Sequence, residues 1–127
     1  MNKICYLDFD RTVIKGHIHK DVLKLNSGVK DFVRKIKTLN YMVILNTYIA
    51  DLGILEEAFN FIKENGIEID DIVSNKIKPE PFDLNANVIF IDDESLNIPL
   101  IESDIEWNVK LVDFLVINKK LFEIYGI

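Results

Sequence analysis

Four stretches of this chain are apolar without clean alternation, the pattern of strands buried on both faces. They run Ile4 to Phe9, Tyr41 to Leu45, Val88 to Ile91 and Val109 to Val112. A weaker fifth run, Ile69 to Ser74, carries Asp70 and Asp71 at its start. Between these runs the period changes. Val29, Phe32, Val33 and Ile36 recur at helical spacing, with Lys30, Arg34, Lys35 and Lys37 off the stripe as a solvated face. Leu52, Leu55, Phe59 and Ile62 form a second stripe, with Glu56, Glu57, Lys63 and Glu64 outside it, and Gly66 after Asn65 supplies a helix stop. A shorter helix is expected over Ser95 to Glu102, its limits blurred by Pro99, and a last one over Phe114 to Tyr125.

Strands alternating with helices predict an α/β fold. The expected form is a three-layer, Rossmann-like open parallel sheet of about five strands, with right-handed crossovers. A length of 127 residues fits a single domain over 1–127, without linker or repeat. Residues 13–27 are the only sizeable irregular segment, a loop or flap holding Gly16, His17, His19 and Lys20. A hydrophobic share of 49% places the chain far from the disordered class.

The apolar runs are too short to span a membrane, and MNKICYLDFD lacks the apolar region of a signal peptide. Cys5 is the only cysteine, which rules out an internal disulfide and makes a cytoplasmic location the expectation. On an apolar strand it reads as a small buried hydrophobe. A net charge of −6 argues against broad contact with nucleic acid, leaving it only as a phosphorylated substrate.

In open parallel sheets ligands collect beyond the carboxyl ends of the strands. Asp8 and Asp10 follow the first run, Asn46 and Thr47 the second, Lys76 and Lys78 the Ile69–Ser74 run, and Asp92 and Asp93 the VIFI run. Acids, hydrogen-bond donors and lysines are thereby gathered at one edge. Hard divalent ions want oxygen ligands, and Mg²⁺ wants an octahedron of them. Asp8 could bind through its side chain, Asp10 through its carbonyl, and Asp92 from the neighbouring strand. Phosphoryl transfer needs charge neutralised on the equatorial oxygens and a nucleophile in line with the leaving group. Asp8 can be that nucleophile, Asp10 a two-stage acid and base, and Asn46 or Thr47 a donor to a phosphoryl oxygen.

These motifs resemble the haloacid dehalogenase-like (HAD) hydrolase superfamily. YLDFDRTV is similar to its first motif, MVILNTY to its second, KPEPF to its third and VIFIDDESLN to its fourth. The resemblance implies a Mg²⁺-dependent phosphomonoester hydrolase, a phosphatase with an aspartyl-phosphate intermediate on Asp8. It implies Asp8, Asp10 and Lys78 as catalytic residues, and Asp8, Asp10, Asp92 and Asp93 around the metal. Asn46, Thr47, Lys78 and Arg11 would face the substrate phosphate. Neither gap between motifs has room for a cap domain, so a capless, open site is expected. It could take a phosphorylated small molecule or macromolecule, or close by homo-oligomerisation.

Asn46 stands where the family carries a hydroxyl residue. With the short flap, it motivates an alternative: a catalytically weak or silent HAD-like domain that binds a phosphorylated ligand or a protein partner. Lys76 reads as a surface lysine, His17 and His19 as solvated loop residues, and Trp107 as packing or a dimer contact. A receiver-like signalling domain fits less well, because here the second acid pair follows the VIFI strand and the lysine precedes it.

Overall fold

A computed structural model describes residues 3–26, 28–76 and 88–92 of the chain. The expected strand Val109–Val112 and the expected helices over Ser95–Glu102 and Phe114–Tyr125 lie outside those residues. The described elements are β1 (Lys3–Leu7), α1 (Val29–Thr38), β2 (Tyr41–Asn46), α2 (Leu52–Glu64), β3 (Asp71–Val73) and β4 (Val88–Ile91). All pairings are parallel and the order is β3-β2-β1-β4, an open sheet with flanking helices as the pattern predicts.

The chain steps from β1 to β2 to β3 in one direction. Two right-handed crossovers therefore place α1 and α2 on the same face. That face is apolar because the pleat turns Cys5 and Leu7 toward it, beside Val43 and Leu45 of β2 and Ile89 and Ile91 of β4. Val29, Phe32, Val33 and Ile36 of α1 cover it, as their spacing predicts. Each such side chain, fully buried, contributes about 1.5–3 kcal/mol. Cys5 is wholly buried, as expected, and burial pushes its thiol pKa well up.

Two elements differ from expectation. The first strand stops at Leu7, because Phe9–Val13 form a wide turn closed by the Ile14 N–H on the Phe9 carbonyl at 3.2 Å. In α2 the buried face is built from Ala58 and Ile62, with Ile54, Leu55 and Phe61 packed against the core. Leu52 is 79% exposed and Phe59 37%. The helix is apolar on more than one side, so its stripe can be drawn on two faces; the packed one is rotated from the expected one.

Asp51 caps the start of α2, accepting from the Ile54 N–H at 3.0 Å. Gly66 ends it with φ +70°, its N–H on the Lys63 carbonyl and the Ile67 N–H on the Ile62 carbonyl. That is a Schellman closure, for which glycine tolerates the left-handed conformation. No helix among the described residues is long and apolar enough to cross a membrane.

Candidate functional site

The direction of strand addition reverses at β1, with β2 on one side and β4 on the other. The crevice beyond their carboxyl ends is where open sheets of this kind place ligands. Asp8 leaves the end of β1 still extended, its N–H bonded to the Ile91 carbonyl at 2.9 Å. Asp92 follows the end of β4, so the two carboxylates stand on adjacent strand tips, both buried.

Lys76 joins them. Its Nζ lies 2.8 Å from Asp8 Oδ1 and 2.8 Å from Asp92 Oδ2, and its side chain is 4% exposed. The loop after β3 is brought to this point by the Thr47 N–H on the Val73 carbonyl at 2.9 Å. Tyr48 closes the approach, with the ammonium 4.8 Å from its ring centroid. Burial alone would lower the lysine pKa. The charge of Asp8 and the hydrogen bonds to both carboxylates outweigh it, and the pKa is raised. The expected surface lysine is thus the central cation of the site. Lys78, expected in this role, lies outside the described residues.

The second oxygen of Asp8 is also occupied. The wide turn after β1 folds Thr12 back so that its hydroxyl donates to Asp8 Oδ2 at 3.0 Å. Asn26 buttresses that turn, donating from Nδ2 to the Thr12 carbonyl at 3.1 Å. Arg11 is exposed at the apex, with φ 56°. Asn46 and Thr47 are buried at the end of β2. The Thr47 hydroxyl accepts from the Ile49 N–H at 3.2 Å, which turns the chain toward α2.

Asp10 faces elsewhere. Its Oδ1 accepts from the Ile18 N–H at 2.9 Å and its Oδ2 lies 3.2 Å from His17 Nε2. The His19 N–H donates to His17 Nδ1 at 3.3 Å, so Nε2 is the protonated nitrogen that donates to Asp10. The flap these bonds hold is a narrow two-stranded excursion, with Ile14 bridged antiparallel to Leu25 and the Lys15 N–H on the Lys24 carbonyl. His17, expected to be solvated, is therefore the flap's tie to Asp10.

This geometry overturns the expected Mg²⁺ centre on Asp8, Asp10, Asp92 and Asp93, and with it the Mg²⁺-dependent phosphatase. Among the described residues no three of His, Cys, Asp and Glu come together in a way that could hold a metal ion. Asp8 and Asp92 close on an ammonium, and the Asp10 carboxylate, expected as acid and base, is held by the flap. Asp93 lies outside the described residues. The described residues do not fit the metal, and no hydrolytic step is derived through it.

The sequence gathers Asp8, Asp92, Asn46, Thr47 and Lys76 at one edge but marks Lys76 as a surface lysine, and it gives no sign of Tyr48 or Asn26. The position of Lys76, three residues past the end of β3, was the available signal. No family model, curated protein or solved structure matches the chain. What the geometry establishes is a small parallel sheet with flanking helices and, at its carboxyl edge, a buried ion triad of Asp8, Lys76 and Asp92.

Proposed function

We propose that this chain is a HAD-like domain that binds rather than turns over, catalytically weak or silent, with a protein partner at its carboxyl edge. The order of the motif-like segments supports the HAD-like part. The single observation that carries the loss of catalysis is Asp8. Its two oxygens are held by Lys76 and Thr12, and the residue is 5% exposed. A nucleophile must free an oxygen and reach phosphorus in line. Hydrogen bonds to charged groups contribute about 1.5–3 kcal/mol each, which opposes that release.

Charge favours a protein over a free phosphate. Asp8, Asp92 and Lys76 sum to −1 (two carboxylates, one ammonium). At ~5 Å and an effective dielectric of ~20, a dianion would meet about 7 kcal/mol of repulsion. An apolar or cationic protein surface meets none. Tyr48, 52% exposed over the triad, and Leu52, just after it, offer such a surface apolar contact.

The test pairs two assays. A photo-crosslinking residue at position 48 should give a discrete protein adduct that Leu52→Asp weakens and that the same residue at position 63 does not give. A panel of phosphomonoesters should show no turnover with or without Mg²⁺. Turnover that Asp8→Asn abolishes would overturn the silent domain. Adducts no stronger at position 48 than at position 63, or inorganic phosphate saturating the Asp8 and Lys76 amides, would overturn the protein partner.

A further inference from the structure

Away from the triad, toward the amino ends of the strands, a groove of about 560 Å³ runs between the outer side of α1 and the turn that follows α2. That volume falls within the range of small-molecule sites. Val33 and Ile67, both nearly buried, form its apolar floor. Lys30 and Arg34, four residues apart on α1, stand along one wall.

The charges of this groove divide into structural and available ones. Lys37 also borders it, but its Nζ lies 2.6 Å from Asp70, whose carboxylate also takes the Val43 N–H at 2.7 Å. That lysine ties α1 to the sheet. Among the described residues Arg34 pairs with Asp31 alone, at 3.6 Å and with both side chains about two-thirds exposed, so solvent leaves the pair weak. Lys30 has no carboxylate partner among the described residues. Its ammonium reaches toward Gly66, where a Cβ would come within 3.2 Å of Nζ. The bare backbone of Gly66 keeps that side of the groove open. Among the described residues one acid, Glu68, lines the groove, while Asp31 and Asp70 are already paired to Arg34 and Lys37. Lys30 and the loosely paired Arg34 thus leave two cationic donors beside an apolar floor, which selects for a particular ligand.

We infer that this groove binds a small organic anion, its phosphonate, phosphate or carboxylate head between Lys30 and Arg34 and its apolar body on Val33 and Ile67. The site is independent of the triad, and neither reading requires the other. The head would draw on two charge-assisted bonds, and the apolar body would exclude water from the floor.

Phenylphosphonate is the probe, titrated into the full ¹⁵N-labelled chain at low salt. The Lys30, Arg34, Gly66 and Ile67 amides should shift saturably. Inorganic phosphate, which lacks the ring, and benzyl alcohol, which lacks the charge, should each bind about tenfold more weakly. Benzoate separates a preference for carboxylate from one for phosphonate. Lys30→Glu with Arg34→Glu should weaken phenylphosphonate by about tenfold or more while the spectrum stays dispersed. Lys30→Gln with Arg34→Gln gives the same readout if charge reversal unfolds the chain. Equal affinity in the charge variants, shifts that centre on Asp8, Thr47 and Lys76, or no saturation into the high millimolar range would each overturn the proposal.

Discussion

Replacing Lys76 by methionine keeps the length and apolar stem of the side chain and removes only its charge. At an effective dielectric of ~20, each 2.8 Å contact to Asp8 and Asp92 is about 6 kcal/mol of gross attraction. Two oxygens that both lie 2.8 Å from one nitrogen are at most about 5.6 Å apart, so they repel by about 3 kcal/mol or more. The intact triad therefore has at most about 9 kcal/mol of internal attraction, and removing three ions from water takes back several kcal/mol per ion. Its net contribution is small. The variant is different, because it leaves two buried carboxylates facing each other without a cation.

Breaking a buried pair in this way costs about 3–5 kcal/mol. With urea m-values of about 1–3 kcal/mol/M, the unfolding midpoint should fall by roughly 2 M at pH 7. The loss should shrink in acid. In the variant the folded-state carboxylates are pushed above the unfolded value of about 3.9, so the penalty is full above the shifted pKa and fades as pH falls through it. Adding Asp92→Asn to Lys76→Met should recover a large part of the loss at pH 7. Urea titrations followed by circular dichroism at pH 7 and pH 4.5 decide the matter. A loss below about 1 kcal/mol that is the same at both pH values would mean that solvent screens the triad, and the reasoning would fail.

In the wild type the same triad should weaken in alkali. The Lys76 pKa is raised by folding, so its contribution is whole below the unfolded lysine value of about 10.4 and is lost as pH climbs through the higher folded one, a fall visible in urea titrations. Asp70→Asn should cost about 1 kcal/mol at pH 7, after allowance for solvent at this partly exposed pair. Burial would raise the Asp70 pKa, but the Lys37 and Val43 hydrogen bonds and the Lys37 charge hold it below the usual value. The difference from wild type should therefore persist above about pH 4 and close as pH falls through the depressed pKa. Cys5, wholly buried with its thiol pKa pushed up, should resist a thiol reagent until the chain unfolds; labelling at the native rate of an exposed thiol would contradict its placement. Mg²⁺ in large excess should leave the melting temperature unchanged, whereas binding at a hundredfold above Kd would add about 2.7 kcal/mol.

The sheet was legible because continuous apolar runs leave few other readings. Cys5, Leu7, Val43, Leu45, Ile89 and Ile91 all lie on the helix-covered face. The first helix was legible for a related reason, since its polar positions leave a single apolar stripe. The second was not, because Leu52, Ile54, Leu55, Ala58, Phe59, Phe61 and Ile62 spread over half the circumference of α2. Packing then chose the face that lies against the sheet. The direction of Asp10 was beyond the sequence altogether. It depends on the Ile18 N–H, eight residues later, being returned to the strand tip by the flap.

Lys76 shows why residue types alone left the site open. Two carboxylates on neighbouring strand tips cannot both stay buried and charged without a cation, and Asp8 with Asp92 states that requirement in the sequence. It does not state which cation meets it. A metal needs further oxygen donors aimed at the same point, and among the described residues no third acid, histidine or cysteine joins the pair. A lysine needs only reach, and a residue just past the end of β3 has it once the loop is pinned by the Thr47–Val73 bond. The flap holds the Asp10 carboxylate apart while the β3 loop delivers the ammonium, and those two backbone events leave two acids and one lysine at the carboxyl edge.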